Sequence, residues 1–472
     1  MKYKLFYCLL FAGVLISMAS CSKTFLEQPI TGQQTESEAF SDSTGLAAFT
    51  NGIYANFANA NFVGGEYEKI NELMADELFN NNFSGDDQGF YTRNTSYFGG
   101  SLLNIYQQGF LVVHSSNLIL NHLNVGGANT NFYAGSAYFF RGVSNFDLVR
   151  LFAQPYGFKS DNSQPGIPLR ENTSLDPVQR STVAENYAEI ISDLQKADTL
   201  LPSTPADGKY YTVTKWAAEA FLAKVYFQMN DFANAYKYAD QVINSNKFQL
   251  DSNYYNRFSV GLSNEAIFRV ATNPAVSFYP ASGVQGNWRS DKAIPYFSLT
   301  NIYYQFATSN PNDIRDTALY STSLQSGYNT LTKYNRDQMD YTVVHLTDMK
   351  LIRAESGGEI AGTNPAALAV AIGDLNDILN RASGYTGTMN ITTGSTAAFV
   401  IATARTQHEL EMIGEGDRLQ EIKRIGALDG TNVDRRGSPW NCPGFILQFP
   451  ELEAASAPGF VQNPAGGCNP LY

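Results

Sequence analysis

Tandem carboxylates are the first residues of this sequence whose type and spacing could support catalysis. They occur at Asp76-Glu77 and at Asp86-Asp87. Most glycoside hydrolases use two carboxyl groups that flank the scissile bond of a sugar. Residues adjacent in sequence rarely face each other across a sugar ring, and tandem acids are common in polar loops. The sequence therefore favours a protein that is not an enzyme over a glycosidase.

Metal and cofactor sites find little support in the sequence. The four histidines are scattered, and no HExxH or CxxC spacing indicates zinc. No phosphate-binding loop, dinucleotide fingerprint or nucleophile elbow occurs in a suitable strand–turn–helix context. Asp86 and Asp87 follow Asn81, Asn82 and Ser84 and could offer oxygen ligands to calcium, but the spacing is not that of an EF-hand. We expect no metal and no cofactor, and a solvated loop at these acids.

Two loops that mix aromatic and polar side chains are the best candidates for a binding site. A flat ring can stack on the apolar face of a sugar while amide, carboxylate and guanidinium groups bond its hydroxyls. Trp288 is the leading candidate, because an indole in a Gly/Ser-rich loop has little core to join. The alternatives for it are a ring packed against the helices or one facing a protein partner. The first loop, FNNNFSGDDQGFYTRNTSYFGG, contributes Tyr91, Arg93, Asn94 and Tyr97, and the second, NPAVSFYPASGVQGNWRSDKAIPYF, contributes Tyr279, Trp288, Arg289 and Tyr296.

Two charged motifs look catalytic but have a structural interpretation. Arg353 and Glu355 occur in LIRAE, and Glu415 and Arg418 occur in EGDR. Opposite charges a turn apart on helices commonly form ion pairs within or between helices. We therefore expect these residues to orient the scaffold.

The N-terminus has the layout of an export signal. Lys2 and Lys4 precede an uncharged apolar stretch, Leu5–Met18, that is too short to cross a bilayer, which takes ~20 residues. The stretch ends in Ser-Met-Ala-Ser before Cys21, as lipoprotein signal peptidase requires. We predict cleavage after residues 1–20 and acyl chains on Cys21 that hold the protein on a membrane. The alternative is an ordinary signal followed by a chance cysteine.

The remaining exported cysteines are Cys442 and Cys468, in a Pro/Gly-rich C-terminal stretch. An oxidising compartment permits a disulfide between them. A disulfide and two free thiols are equally compatible with the sequence.

The chain is acidic, with a formal net charge of −12. Such a protein does not attract nucleic acid or anionic lipid through its general field, so neither is an expected partner. No long or biased linker divides the chain, and we predict one domain over residues 21–472.

Most of the chain has helical periodicity. In STVAENYAEIISDLQKADTLLP, Thr182 and Glu185 have the spacing of a capping box. The segment TKWAAEAFLAKVYFQMNDFANAYKYADQVINS follows the spacing of a tetratricopeptide repeat, with Asn230 where Gly is usual. Further helices are predicted in MKLIRAESGGEIAGTNPAALAVAIGDLNDILNRASG and in ARTQHELEMIGEGDRLQEIKRIGAL, and a short strand at 265–270.

Several of these segments together resemble the SusD/RagB family of nutrient-binding outer-membrane lipoproteins of Bacteroidota. CSKTFLEQP is similar to the family's start, STVAENYAEIISDLQKADTLLP to its tyrosine helix, and SNEAIFRV to the strand after its repeat helices. HLTDMKLIRAE resembles its LAEMYLIRAEA helix, and the residues at 375–382 fit its LN-x-I-x-x-RA continuation. EGDRLQEIKRIG resembles its EGHRWFDLRRWG helix, with Asp417 in place of His and Ile425 in place of Trp.

The resemblance implies a mainly α fold of tetratricopeptide-like helices with a loop-rich, partly β binding surface. We expect the helices mainly within 100–245 and 340–426, and the ligand loops at about 60–100 and 250–340. The implied function is non-catalytic capture of a nutrient, an oligosaccharide in first place, for delivery to a SusC-like TonB-dependent barrel. The implied location is the outer membrane, facing the cell surface. A peptide or glycopeptide ligand, as in the RagB branch, and a scaffold without its own ligand site are the alternatives.

Overall fold

The computed structural model describes residues 35–80, 82–206, 208–323 and 326–468. The predicted signal segment, residues 1–20, and the predicted lipid site at Cys21 lie outside them. Within the described residues the chain is mainly α-helical, which confirms the predicted fold class. None of the helices described there combines the length and apolar character that a bilayer crossing needs.

The helices vary from four to more than twenty residues in length. In chain order they are α1 Glu36–Ala39, α2 Ser43–Phe57, α3 Glu66–Met74, α4 Gly85–Tyr91, α5 Gly100–Asn121, α6 Thr130–Phe152, α7 Val183–Leu200, α8 Lys215–Gln228, α9 Phe232–Asn244, α10 Ser282–Trp288, α11 Asn301–Ala307, α12 Arg315–Ala318, α13 Leu346–Glu359, α14 Pro365–Ala382, α15 Ala397–Met412, α16 Arg418–Asp429 and α17 Glu451–Ser456.

The long helices pack in a continuous row in which each contacts the next. α2 packs on α5, α5 on α6, α6 on α7, α7 on α8, and α8 on α9. The row continues through α13, which contacts α9, α14 and α15. Where the connections are short, neighbouring helices run antiparallel, as in helix-turn-helix repeats. These helices are the scaffold on which the loops are held.

The turn between α8 and α9 explains the one departure from the tetratricopeptide spacing. Asn230 adopts a left-handed backbone, with φ of 58°. Gly is usual in such a turn because it has no Cβ, and Asn is one of the few other residues that tolerate this conformation. The Asn230 amide also donates to the carbonyl of Arg424, 3.1 Å away, so the substitution adds a bond to α16.

The start of α7 has the predicted capping box. Thr182 Oγ1 accepts a bond from the Glu185 N–H at 3.2 Å, and the Glu185 carboxylate accepts one from the Thr182 N–H at 2.8 Å. Two otherwise unsatisfied donors of the first turn are thereby satisfied. The buried stripe of α7, which includes Ile190 and Leu194, then faces α6 and α8.

Strands are few and short. The described residues form three two-stranded antiparallel sheets. The strand predicted at 265–270 is confirmed, and its partner comes from the segment just before α13. The pairs are β1 Pro165–Pro168 with β2 Arg180–Thr182, β3 Ala266–Val270 with β6 Tyr341–His345, and β4 Tyr320–Thr322 with β5 Asn329–Leu331.

The predicted loop regions contain more helix than the sequence indicates. α3 and α4 lie within 60–100, and α10, α11 and α12 lie within 250–340. Each has nine residues or fewer, too few for the periodic pattern that identifies a helix from sequence. Tertiary contacts stabilise them instead, since α3 packs against α10 and α16.

Both charged motifs form ion pairs that hold the scaffold together, which confirms their structural interpretation. Glu415 binds Lys333 at 2.8 Å, and Arg418 binds Asp76 at 2.9 Å. Arg353 binds both Asp374 oxygens at 2.6 and 2.7 Å. Glu355 accepts bonds from Arg405 at 2.8 Å and Arg424 at 2.9 Å. The partners therefore come from outside each motif.

A disulfide joins Cys442 to Cys468, whose Cα atoms are 5.5 Å apart. This confirms one of the two alternatives that the sequence left open. The largest cluster of buried apolar side chains extends from Phe40 to Cys468, so the C-terminal stretch is part of the core. The domain boundaries at 21–472 stay a prediction.

Candidate functional site

The two predicted binding loops meet in one surface, joined by backbone bonds. The Phe79 N–H donates to the Ser298 carbonyl at 2.7 Å, and the Thr300 N–H donates to the Glu77 carbonyl at 2.9 Å. The Leu299 N–H donates to the Asn329 carbonyl at 2.8 Å, which adds β5 to the same edge. Segments more than two hundred residues apart in sequence are therefore held in fixed register.

Aromatic rings behind this edge fasten the two loops together. Phe83 lies 5.3 Å from Tyr91 and 5.4 Å from Tyr296, measured between ring centroids. The Tyr296 hydroxyl donates to Asp87 at 2.6 Å. Burial, followed by the bond to Asp87, raises the pKa of Tyr296, so the phenol stays protonated. Tyr91 and Tyr296 are half-buried and contribute mainly to holding the surface in shape.

Exposed rings and amides stand at the front of the junction. Phe79 is 45% exposed and Tyr328 39% exposed, and their centroids are 5.8 Å apart. The Asn329 amide donates to the Asn301 side chain at 3.0 Å. Ile302, next to Asn301, is 70% exposed. We call these five residues the aromatic platform.

Sequence reasoning missed Phe79 and Tyr328. Phe79 opens the first predicted loop, and Tyr328 lies in the second loop region between Gly327 and Asn329. The available signal was an aromatic residue among Asn, Gly and Ser. That signal occurs at many positions of this chain and does not say which rings become neighbours.

The structure corrects the expected position of Trp288. Its side chain is fully buried at the end of α10 and packs 5.2 Å from Phe297. The indole Nε1–H donates to Glu68 at 2.7 Å. The expectation of an exposed indole is therefore wrong, because α10 packs against α3 and supplies the core that the sequence did not indicate.

The structure also corrects the expectation that Arg93 contacts a ligand. It is fully buried, and its guanidinium binds both Asp434 oxygens at 2.8 and 2.9 Å. Further bonds go to the carbonyls of Met74 at 2.8 Å and Ala75 at 3.0 Å. These four bonds occupy the guanidinium within the protein. Arg93 therefore holds the first loop to the C-terminal stretch.

A second arginine candidate, Arg289, lies near the surface with its charge already paired. It binds Asp291 at 2.8 Å and Asp337 at 2.6 Å, and its side chain is 21% exposed. Tyr279 is 43% exposed on the segment before α10.

Tyr97 and Asn94 are exposed on the far side of Arg93, against the C-terminal stretch. The Tyr97 carbonyl accepts a bond from the Glu451 N–H at 3.1 Å. The Tyr97 ring lies 4.3 Å from that of Phe98, which is 72% exposed. The first loop is therefore divided, with Tyr91 packed on Phe83 and Tyr97 bonded to the start of α17.

The tandem carboxylates do not flank an open cleft. Asp76 is buried and binds Arg418 through two bonds of 2.9 Å. Glu77 is fully buried. Burial, and after it the repulsion from nearby Glu72, raises the pKa of Glu77 well above the ordinary value. Asp86 accepts from the Ser101 N–H at 2.8 Å. These acids serve packing and loop geometry.

Within the described residues, no three His, Cys, Asp or Glu side chains are grouped so that they could hold a metal ion. Asn81, one of the oxygen ligands considered for calcium, lies outside the described residues.

Comparison with known families and relatives agrees with this fold. Residues 24–227 match the family model described as "Starch-binding associating with outer membrane". SusD-like protein P2 of Formosa agariphila is 26% identical over 278 residues, which are 54% of this chain and 50% of that protein. SusD-like protein P38 of the same organism is 24% identical over 260 residues, 52% of this chain and 46% of that protein. The chain thus spans about half the length of the curated relatives it matches.

Solved structures match over most of the chain. A SusD superfamily protein from Bacteroides thetaiotaomicron has a TM-score of 0.79 at 20% identity, covering 90% of this chain and all of that one. Surface glycan-binding protein A from Bacteroides uniformis has a TM-score of 0.70 at 18% identity, covering 89% of this chain and 99% of that one. At these identities the similarity shows a shared fold.

Proposed function

We propose that this chain, a member of the SusD/RagB family, captures a carbohydrate on the aromatic platform without chemically changing it. The exposed pair of Phe79 and Tyr328 is the observation that supports this site. The family model's description and the glycan-binding name of the Bacteroides uniformis protein support the ligand class.

The platform has the chemistry that sugar recognition uses. Ring faces can cover the apolar C–H surface of a pyranose, and the amides of Asn301 and Asn329 can bond its hydroxyls. The platform is shallow and offers few polar groups, so we expect modest affinity, about micromolar to millimolar. Such weak binding suits a protein that must release its ligand to the next carrier.

We further propose that the protein is an outer-membrane lipoprotein anchored at Cys21 and facing the cell surface. The small residues before Cys21 support the anchor, and the family description supports the membrane. The next carrier would be a SusC-like TonB-dependent barrel.

Alanine substitutions at the platform test the binding site. We expect Phe79→Ala and Tyr328→Ala each to weaken binding by ~1–3 kcal/mol, comparable to other aromatic contacts. Isothermal titration calorimetry against maltoheptaose and a panel of soluble polysaccharides would measure the loss. Phe399→Ala is the matched control, because Phe399 is similarly exposed, at 53%, but lies on α15.

Unchanged affinity in both platform variants would exclude this surface as the site. Release of reducing ends from any bound polysaccharide by the unmodified protein would contradict the non-catalytic function.

A further inference from the structure

A second concave surface lies along α5, away from the aromatic platform. It is a groove of about 420 Å³ between α5, the segment 170–177 and α17. It shares no lining residue with the platform. We call it the α5 groove.

The walls of the α5 groove are fixed by polar bonds. Arg170 binds both oxygens of Glu453, at 2.9 and 3.2 Å, and so joins the segment 170–177 to α17. The Asn117 amide donates to the carbonyls of Arg170 at 2.8 Å and Asn172 at 2.9 Å, which joins the same segment to α5. Because the groove is formed in advance, an occupant need not order it.

The accessible lining of the groove is mainly apolar, although Gln107, Asn172 and Ser174 also line it. Leu111 is 42% exposed and Leu175 is 86% exposed. The rings of Tyr106 and Phe110 are more than nine-tenths buried, so neither offers a free face for stacking on a sugar. Exposed apolar side chains that gather around a cleft commonly mark a protein–protein contact.

Tyr106 adds a polar group to the wall. Its side chain is 5% exposed, and its hydroxyl lies beside the Glu453 carboxylate and the Arg170 guanidinium. Burial, followed by the effect of the Glu453 carboxylate, raises the pKa of this hydroxyl. The phenol therefore stays protonated beside Glu453 and forms part of the fixed wall.

The rim of the groove is negatively charged. Glu171 and Asp176 are exposed next in the chain to the lining residues Arg170 and Leu175, and Glu451 is exposed at the start of α17. Within the described residues, none of these three acids forms an ion pair. Arg170, whose guanidinium is the only one among the described lining residues, is already bound to Glu453. An occupant with positive charge beside its apolar group is therefore favoured.

We propose that the α5 groove docks an extended segment of a partner protein in which an apolar side chain is flanked by lysine or arginine. The apolar side chain would lie between Leu111 and Leu175, and the basic side chains would reach Glu171 and Asp176. The proposal is independent of the carbohydrate site, because the two surfaces have no residue in common.

Peptide binding to the full chain tests this proposal. The probe is fluorescent Ac-Lys-Leu-Lys-Leu-Lys-amide, followed by anisotropy at low ionic strength. The controls are the same peptide with Ser for Leu and with Glu for Lys. We expect measurable binding only of the first peptide, and a loss of roughly tenfold in Leu175→Ser, as removal of one buried leucine contact predicts. Asp176→Asn should lower affinity and reduce its salt dependence.

Leu262→Ser is the matched control, since Leu262 is 58% exposed and lies outside the groove. Equal binding of the three peptides, no binding of any, or an equal loss in Leu262→Ser would overturn the proposal. A loss of carbohydrate affinity in Leu175→Ser would assign the groove to the sugar site and overturn it as well.

Discussion

Replacement of Arg93 by alanine should destabilise the protein severely while leaving its platform chemically intact. Arg93 is fully buried and makes two bonds to Asp434 and two to backbone carbonyls. The substitution removes the guanidinium that binds both oxygens of the buried Asp434. It also leaves the carbonyls of Met74 and Ala75 without these donors.

The expected loss can be estimated from this geometry. Removal of one partner of a buried ion pair costs about 3–5 kcal/mol. The entropy of unfolding of ~450 residues is roughly 0.9 kcal/mol/K at about 2.1 cal/mol/K per residue, so Tm should fall by about 3–5 °C. Urea unfolding followed by circular dichroism would give the free energy of unfolding, and calorimetry would give Tm.

Arg289→Ala is the matched control for this experiment. Arg289 also binds two carboxylates, but one of them, Asp337, has a side chain 76% exposed. An exposed pair contributes about 0–1 kcal/mol. If both substitutions lower stability by the same small amount, the argument from burial is refuted. If folded Arg93→Ala loses carbohydrate affinity while Phe79→Ala keeps it, Arg93 would be assigned to the binding site.

Two further predictions concern pH and anchoring. Burial raises the pKa of Glu72 to about 7, although the bond from the Gly416 N–H acts in the opposite direction. The protonated carboxyl therefore contributes its full stability below the unfolded pKa. This contribution is lost as the pH rises through about 7. Glu72→Gln should flatten the fall in unfolding free energy across that window, and an unchanged slope in urea unfolding at several pH values would contradict the assignment. Cys21→Ala should abolish labelling by an alkyne fatty acid and release the protein from membranes, and a variant that still labels and sediments would show that the anchor lies elsewhere.

The scaffold was predictable because its signals are local. The capping box at Thr182 and Glu185 and the repeat spacing around Asn230 each depend on a few residues of one helix pair. The pairing of Cys442 with Cys468 was open because a disulfide depends on where two loops lie after folding.

The binding surface was less predictable because its neighbours are remote in sequence. The position of Trp288 is decided by Glu68, more than two hundred residues earlier, which accepts the indole N–H inside the core. Phe79 and Tyr328 become a pair only because strand-like bonds join residues near 78, 299 and 329. No window of the sequence contains these contacts.

The same remote contacts explain how a shallow surface could bind a sugar. Glu68 holds Trp288, Asp87 holds Tyr296, and the Ser298 carbonyl holds the Phe79 N–H, so the loops carrying the exposed rings have few alternative conformations. A flexible loop would lose conformational entropy on binding, and that loss would consume much of the energy of a few stacked contacts. Trp288 and Tyr296, which the sequence made candidates for ligand contact, therefore lie one layer behind the platform, where their rigidity makes weak contacts at Phe79 and Tyr328 sufficient.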